Sequence, residues 1–367
     1  MRQNGNSTRT EEDVLAAIER RRRRPHVKLL DEHVTLSHGA GGKSSHTLIE
    51  TLFVRQFANP LLESMGDSAV FDLADGTGPS VAFSTDAFVV KPLFFPGGDI
   101  GDLAVNGTVN DLAMAGGRPL CLSAAFIVEE GFSTRDLERI AHSMATAAQA
   151  AGVVIATGDT KVVERGKADG VYVATSGVAV VDPDVDLSPS RIRPGDRVLV
   201  SGTLGDHGMA IMVARGELEL EVDLNSDTAP LNQIVADLLA ATDGVRCLRD
   251  PTRGGVATVL NELALAAELG VVVHETALPI RPEVNGACEI LGIDPLYVAN
   301  EGKLLAVVAP EAADAALSAL RSHPLGGDAA IVGEVRPDPP GMVLLETAFG
   351  GSRVVDMLAG DPLPRIC

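Results

Sequence analysis

The chain has 367 residues, 46% of them hydrophobic and 38 of them glycine, which is enough for two packed domains without disulfide or metal staples. Its 30 basic and 50 acidic residues leave a formal charge of -20, which excludes a surface built to bind nucleic acid or anionic lipid. No apolar run reaches the length of a membrane span, and the four cysteines form no CxxC pair of the kind that zinc, iron–sulfur or thioredoxin-type sites use.

Residues 1–33 read as a polar, charged, mobile extension. Its basic run, Arg20 to Arg24, is followed by Pro25-His26-Val27-Lys28 rather than by an apolar stretch, so no leader is read and a reduced, cytoplasmic protein is expected. Val81 to Phe83 and Phe88 to Val90 flank Ser84-Thr85-Asp86 in a strand-like segment. Ile100 to Gly116 is predicted as a helix on the spacing of Ile100, Leu103, Ala104, Leu112 and Ala115. Ser133 or Thr134 can cap a second helix, striped by Leu137, Ile140, Ala141, Met144, Ala148 and Ala151 and ended by Gly152. Val153 to Ala156 reads as a buried strand and Val171 to Val181 as another.

The Pro/Asp-rich stretch 182–196 is the expected boundary, dividing the chain into 34–186 and 187–347, with a tail over 348–367. The second half predicts strands at Arg197 to Val200, Val271 to His274, Lys303 to Val308 and Ala330 to Val335. Helices are expected at about 208–215, 229–242 and 255–269, the last stopped by Gly270, and at Ala312 to Arg321. The final stretch, with Pro362 and Pro364, cannot be a regular helix.

Four groups of residues carry chemistry. In His38-Gly39-Ala40-Gly41-Gly42-Lys43, Gly39, Gly41 and Gly42 let backbone N–H groups approach a polyanion, and Lys43 adds a point charge; a tight turn is the plainer reading. Acidic residues beside glycines recur as Asp67, Asp86, Asp111, Asp159, Asp206 and Asp250. A carboxylate inside an apolar strand, such as Asp86, is costly unless paired or metal-bound. Hard carboxylate oxygens with few histidines suit magnesium bound together with substrate phosphates, which is how so acidic a chain can hold ATP. Gly107, one helical turn before Asp111, is expected to leave open space beside that carboxylate. Glu301, in Asn300-Glu301-Gly302-Lys303, is either a turn residue or a base.

The last residue, Cys367, places a thiol where chain ends are ordinarily exposed. Its own carboxylate raises the thiol pKa while Arg365 lowers it. From about Arg353 the extended tail reaches roughly 45 Å at ~3.3 Å per residue, far enough to swing between a partner and an internal pocket. Cys121, Cys247 and Cys288 sit in apolar contexts and are expected in the core.

Taken together, HGAGGK (38–43), GDSAV (66–70), STD (84–86), GTVNDLAMAGG (107–117), TGDTKVV (157–163), SGTLGDHG (201–208), DPTRGGV (250–256), YVANEGK (297–303) and the terminal PRIC (364–367) resemble the HypE family of hydrogenase maturation proteins. That family belongs to the superfamily of aminoimidazole ribonucleotide synthetase, selenophosphate synthetase and thiamine-monophosphate kinase. The likeness runs in motif order from about residue 34 to the end.

It implies an α/β, PurM-like fold of two domains: an N-terminal ATP-binding domain whose sheet pairs in a homodimer, and a C-terminal α/β domain. It implies magnesium on Asp67, Asp86, Asp111 and Asp250, with Asn106, Gly158, Asp159 and Asp206 also about the nucleotide. Lys43, Lys161, Glu301 and Cys367 match positions taken as catalytic. The implied activity is ATP-dependent dehydration of a carbamoyl group on Cys367 to a thiocyanate. HypF would load the group, and a HypC–HypD iron scaffold would receive the cyano group for a [NiFe]-hydrogenase. Two other readings compete: a superfamily enzyme acting on a free small molecule, and a non-catalytic ATP-binding cysteine carrier. Selenophosphate synthetase itself is disfavoured because residues 36–45 hold no cysteine.

Overall fold

The computed structural model describes residues 31–57, 59–63, 65–73, 78–216, 223–358, 360, 363 and 365–367. The expected extension lies outside the described residues up to position 30, and so do Arg20 to Arg24, Pro362 and Pro364. Fourteen strands, β1 to β14, form two main sheets and a two-stranded ribbon among the described residues. Among those residues no helix is long and apolar enough to cross a membrane.

The first sheet has the order β1-β2-β7-β5-β6. Its strands are β1 (Ala69–Asp72), β2 (Ser80–Phe88), β5 (Gly117–Glu129), β6 (Val154–Val163) and β7 (Val171–Val181). The ribbon β3 (Phe94–Phe95) and β4 (Gly98–Asp99) leads into the central helix. After helix α1 (Lys43–Leu48), α2 (Ile100–Met114) and α3 (Thr134–Ala151) cover one face of this sheet. Asp99 caps α2 by accepting from Gly101 N at 2.7 Å, and Ser133 caps α3. Gly152 ends α3 in the left-handed region, as its place after the apolar stripe requires.

β7 alternates strictly between buried and half-buried positions, so its odd residues, Val171 to Val181, face α2. The other face of the sheet carries Phe83, Ile127 and Val154 in the open, the last 62% exposed. The buried strand expected at Val153 to Ala156 is therefore an exposed edge strand that runs on to Val163. Valine-rich sequence buries only where something covers it, and nothing among the described residues covers that face.

The second sheet has the order β14-β13-β10-β12-β8-β11-β9. Its strands are β8 (Arg197–Val200), β9 (Val245–Arg249), β10 (Gly270–His274), β11 (Leu305–Val308), β12 (Ala330–Arg336), β13 (Val343–Glu346) and β14 (Ser352–Val355). Both of its faces are covered. Val198, Val200, Leu305 and Val307 pack toward helix α6 (Gly255–Ala267). Leu199, Ala306 and Val308 pack toward α5 (Asn232–Ala241) and α8 (Ala313–Ser322). Two further helices, α4 (Asp206–Ala214) and α7 (Pro282–Leu291), join the core beneath the first sheet.

Sequence reading missed β1, β3, β4, β5, β9, β13, β14, α1 and α7. β14 removes Ser352–Val355 from the expected tail by pairing them with β13, so the free lever is shorter than a start at Arg353 implied. α6 ends because Glu268 takes φ 56°, and Gly270 opens β10 instead of stopping the helix. Cys247 and Cys288 are buried as expected, while Cys121 is half-buried.

α2 is buried on nearly every side, because it lies between the first sheet and elements of the second half, α5 and β9. Asn110 on α2 ties the halves together: its Nδ2 donates to the Glu301 carbonyl at 2.9 Å, and its Oδ1 accepts from Leu231 N at 2.7 Å. Gly107 does not open space beside Asp111. A Cβ there would lie 2.8 Å from Phe88 Cζ, so glycine is needed for α2 to lie on Phe88. Gly107→Ala is expected to cost about 1–3 kcal/mol of stability through overpacking. Urea unfolding checks this, and an unchanged midpoint would contradict it.

Candidate active site around the chain terminus

Asp67, Asp86, Asp111 and Asp250 converge from four separate segments. Ser84 Oγ, on the inner face of β2, donates to Asp111 Oδ2 at 2.5 Å and is 3.2 Å from the Asp67 carbonyl. Ser68 Oγ donates to the Asp111 carbonyl at 3.1 Å, so the GDS, STD and ND motifs meet at the C-terminal part of α2. Burial raises all four carboxyls; for Asp111, repulsion from Asp250, Asp67 and Asp86 adds to it. Arg249 pairs with Asp67, and Arg253 faces Asp86. These two cations leave negative charge uncompensated. Among the described residues the acids are not drawn in around one metal position. Their hard oxygen donors and unbalanced charge nevertheless fit a divalent cation better than they fit a protein counter-ion.

The tail enters the same place. Cys367 lies beside Glu301, Arg253 and Asp86. Desolvation, then the Glu301 charge, pushes its thiol well above the ordinary range, so it rests as S–H. Glu301 is itself raised well above the usual carboxyl range, first by burial and then by Asp250, Asp227 and Asp86. Its Oε1 is buried without a hydrogen-bond partner. An open cavity of about 200 Å³ adjoins the thiol, lined by Gly39, Ala40, Val89, Arg253, Ile366 and Cys367 among others.

The tail is held by its main chain. Val89 N donates to the Cys367 carbonyl oxygen at 3.0 Å and Lys91 N to that of Arg365 at 3.2 Å, as in a short antiparallel pairing. Leu363 and Ile366 are buried in the core of the first half. Arg365 pairs with Asp169 in the β6–β7 connection.

Other expected site residues lie elsewhere. Gly41 packs on Arg253, and a Cβ on Gly42 would sit 2.3 Å from the Leu358 carbonyl oxygen. These two glycines accommodate Arg253 and the root of the tail; only Gly39 faces open space. Lys43 Nζ pairs with Asp356 at 2.5 Å, away from the carboxylate cluster. Gly158, Asp159 and Lys161 lie within β6 rather than after a strand. Lys161 pairs with Asp159 at 2.7 Å. The register of β6 on β5 sets Asp159 opposite Ala125 and Lys161 opposite Ile127, on the outer face, whereas Asp86 faces inward with Thr175. A strand alternates faces, so within one chain Lys161 cannot reach the acids.

Asn106 Nδ2 donates to Thr228 Oγ1 at 3.0 Å, and its Oδ1 is buried without a partner. Asp206 is buried, bonded by Thr203 and 3.7 Å from Arg281. Three residues were passed over although their motifs had been noted, Arg253, Lys303 and His207, and so was Arg249, just before the DPTRGGV motif. Asp227 had no motif to mark it, yet it accepts Glu301 N at 3.1 Å and pairs with Lys303 at 3.0 Å.

Comparison with known proteins fits this geometry. The N-terminal domain model of AIR synthase related proteins matches residues 65–181, and the C-terminal domain model matches residues 193–344. The carbamoyl dehydratase HypE of Rhizobium leguminosarum bv. viciae is 54% identical over 335 residues, covering 91% of this chain and 95% of its own. The chain belongs to the HypE family of carbamoyl dehydratases. A HypE crystal structure in complex with ATP is similar at 48% identity and TM-score 0.76, over 91% of this chain and all of that one. A HypE–HypF complex matches at 48% identity and TM-score 0.80, over 85% of this chain and 99% of that one.

The raised carboxyls set the response of this HypE-family chain to pH. In the folded state Asp111, Asp250 and Glu301 keep protons that the unfolded chain releases near pH 4, and Asp102 and Glu262 keep theirs to about 6. The stability they contribute is full below the unfolded pKa and is lost as pH rises through the folded values. Buried His207 is lowered and opposes this below its own unfolded value, but the carboxyls outnumber it. The melting temperature in chelator is therefore expected to fall from about pH 5 to 7.5, less so in Asp111→Asn and less with millimolar magnesium. A flat or rising profile would contradict the assignment.

Proposed function

We propose that the chain dehydrates a carbamoyl group carried on its own Cys367 to a thiocyanate, using Mg-ATP. The observation that carries this reading is the terminal thiol lying inside the carboxylate-lined cleft, beside Glu301. A carbamoyltransferase of the HypF type loads Cys367 as S–C(=O)–NH2 while the tail is out. Docked again, the carbamoyl oxygen accepts the γ-phosphoryl group of ATP, the C–O bond becomes a bond to a phosphate leaving group, and one N–H proton is lost. Loss of the second N–H proton and of phosphate leaves S–C≡N.

In its ionised form, which added positive charge in the cleft favours, Glu301 is suited to take these protons. Its raised affinity for protons and unpartnered Oε1 give it an acceptor oxygen next to the sulfur. Arg253, facing Cys367, supplies positive charge at the reacting group. Magnesium fits Asp67, Asp86, Asp111 and Asp250 and, when bound, neutralises charge on the transferred phosphoryl group. The nucleotide is assigned to the neighbourhood of Gly39 and of Asn106, whose buried Oδ1 lacks a partner. The cyano group then passes to iron on a HypC–HypD scaffold for a [NiFe]-hydrogenase.

A homodimer completes the reading. The uncovered face of the first sheet, with Phe83, Ile127 and Val154 exposed, suits a second copy of the same face. Lys161 lies on that face, so any catalytic role for it is exercised across the interface. Val154→Asp is expected to yield monomers in analytical ultracentrifugation; an unaltered dimer would place the contact elsewhere.

The decisive test is to carbamoylate the chain with its transferase, add Mg-ATP and weigh the C-terminal peptide. Loss of the mass of one water from the Cys367 peptide is expected. It should vanish in Cys367→Ala with ATP affinity intact, and Asp86→Asn should weaken Mg-ATP binding in calorimetry. A persistent carbamoyl group with ATP bound would favour a non-catalytic carrier, and activity that survives Cys367→Ala would favour a free substrate.

A further inference from the structure

One buried group beside the tail has no part in that chemistry. His207 opens α4, is wholly buried, and meets the Phe95 ring edge-on with centroids 5.7 Å apart. Its Nε2 lies 2.9 Å from the carbonyl oxygen of Ile366, the residue before the reactive cysteine. Its Nδ1 lies 2.7 Å from Ser226 Oγ. A carbonyl oxygen only accepts, so Nε2 carries the hydrogen. Nδ1 then accepts the Ser226 hydroxyl proton, and Ser226 Oγ in turn accepts from Thr228 N at 3.2 Å. The Ile366 carbonyl fixes the hydrogen on Nε2, and acceptance at Nδ1 requires a neutral ring. Burial, which lowers the His207 pKa, supplies it.

The last three carbonyls of the chain are each matched. That of Arg365 receives Lys91 N and Arg215 Nη2, and that of Cys367 receives Val89 N. Ile366 receives His207. The loop that orients the ring also holds the proton acceptor, because Asp227 beside Ser226 accepts from Glu301 N. One short loop thus sets the register of the sulfur and the place of the carboxyl it faces.

We propose that His207 is a positioning residue for the dehydration: by donating from Nε2 to the Ile366 carbonyl, with Ser226 against its other ring nitrogen, it holds Cys367 in register against Glu301. This rests on the reading of Cys367 as the carrier. Without the donor, a buried carbonyl goes unpaired whenever the tail docks, which shifts the tail outward by about ten- to a hundredfold.

The test uses the full chain with His207→Leu, His207→Gln and Ser226→Ala, their folding checked by melting. Two rates are read: alkylation of Cys367 by iodoacetamide, and single-turnover loss of water from the carbamoylated protein at saturating Mg-ATP. In His207→Leu, alkylation is expected to rise and conversion to fall by about ten- to a hundredfold, with ATP affinity unchanged. His207→Gln, whose amide N–H can reach the same carbonyl, should recover most of both. Ser226→Ala keeps the ring but removes the partner of its Nδ1, should act in the same direction more weakly, and serves if the leucine variant is unstable. Unchanged alkylation in folded His207→Leu, or a glutamine variant no better than leucine, overturns the positioning role. Failure of the wild-type chain to convert its carbamoyl group overturns the carrier reading instead, and leaves the alkylation result to decide the clamp.

Discussion

Five carboxyl groups share one sheltered cleft: Asp67, Asp86, Asp111, Asp250 and Glu301. Repulsion between such groups is several times stronger there than in water, and each loses hydration as well. Arg249 and Arg253 offset only part of it. Such a site is stable in two ways: with protons retained, or with a cation supplied from outside. The rest of the architecture accommodates that choice. α2 is buried so that Asp111 can be presented from within, and Ser84 and Ser68 spend their hydroxyls on it.

The same deficit governs the terminal thiol. Burial first, and then negative neighbours, hold Cys367 as S–H, so within the docked cleft it is a poor nucleophile. Acquisition of a carbamoyl group therefore belongs to the undocked tail, and its conversion to the docked one. The main-chain contacts of residues 365–367 give docking a defined register without depending on many side chains. Farther back the tail's root is also tied: Lys43 N donates to the Leu358 carbonyl, and Tyr297 Oη to that of Asp356. The glycine-rich loop is thus part of the tail's seat as well as a wall of the open cavity.

The two sheets show how differently the same kind of sequence can be used. The second sheet is covered on both faces, and the first on one only. That asymmetry leaves Lys161 and Asp159 on a surface that their own chain does not employ. It also leaves the acids on the sheltered side, where the tail can reach them.

Much of this was legible in the residues themselves. The stripe of α3, apart from the exposed Ala141, its Ser133 cap and its Gly152 stop are local, and they appear where the spacing put them. The strand over Val171–Val181 likewise follows from its own composition. Asp residues set beside glycines pointed to a shared site, because an acid in an apolar strand needs a partner. β5 and β9 were missed because each follows hard upon a helix or a turn without alternation of its own. What needed the tertiary structure was parity and company. Whether Lys161 faces the acids depends on strand register, and whether Gly107 borders Asp111 or Phe88 depends on how α2 lies on β2. Where the tail rests depends on donors drawn from residues 89, 91, 207 and 215, which no spacing in the chain brings together. Local sequence determines which groups exist and the period on which they repeat; burial, charge coupling and proton ownership arise only between segments, once folding has chosen their neighbours.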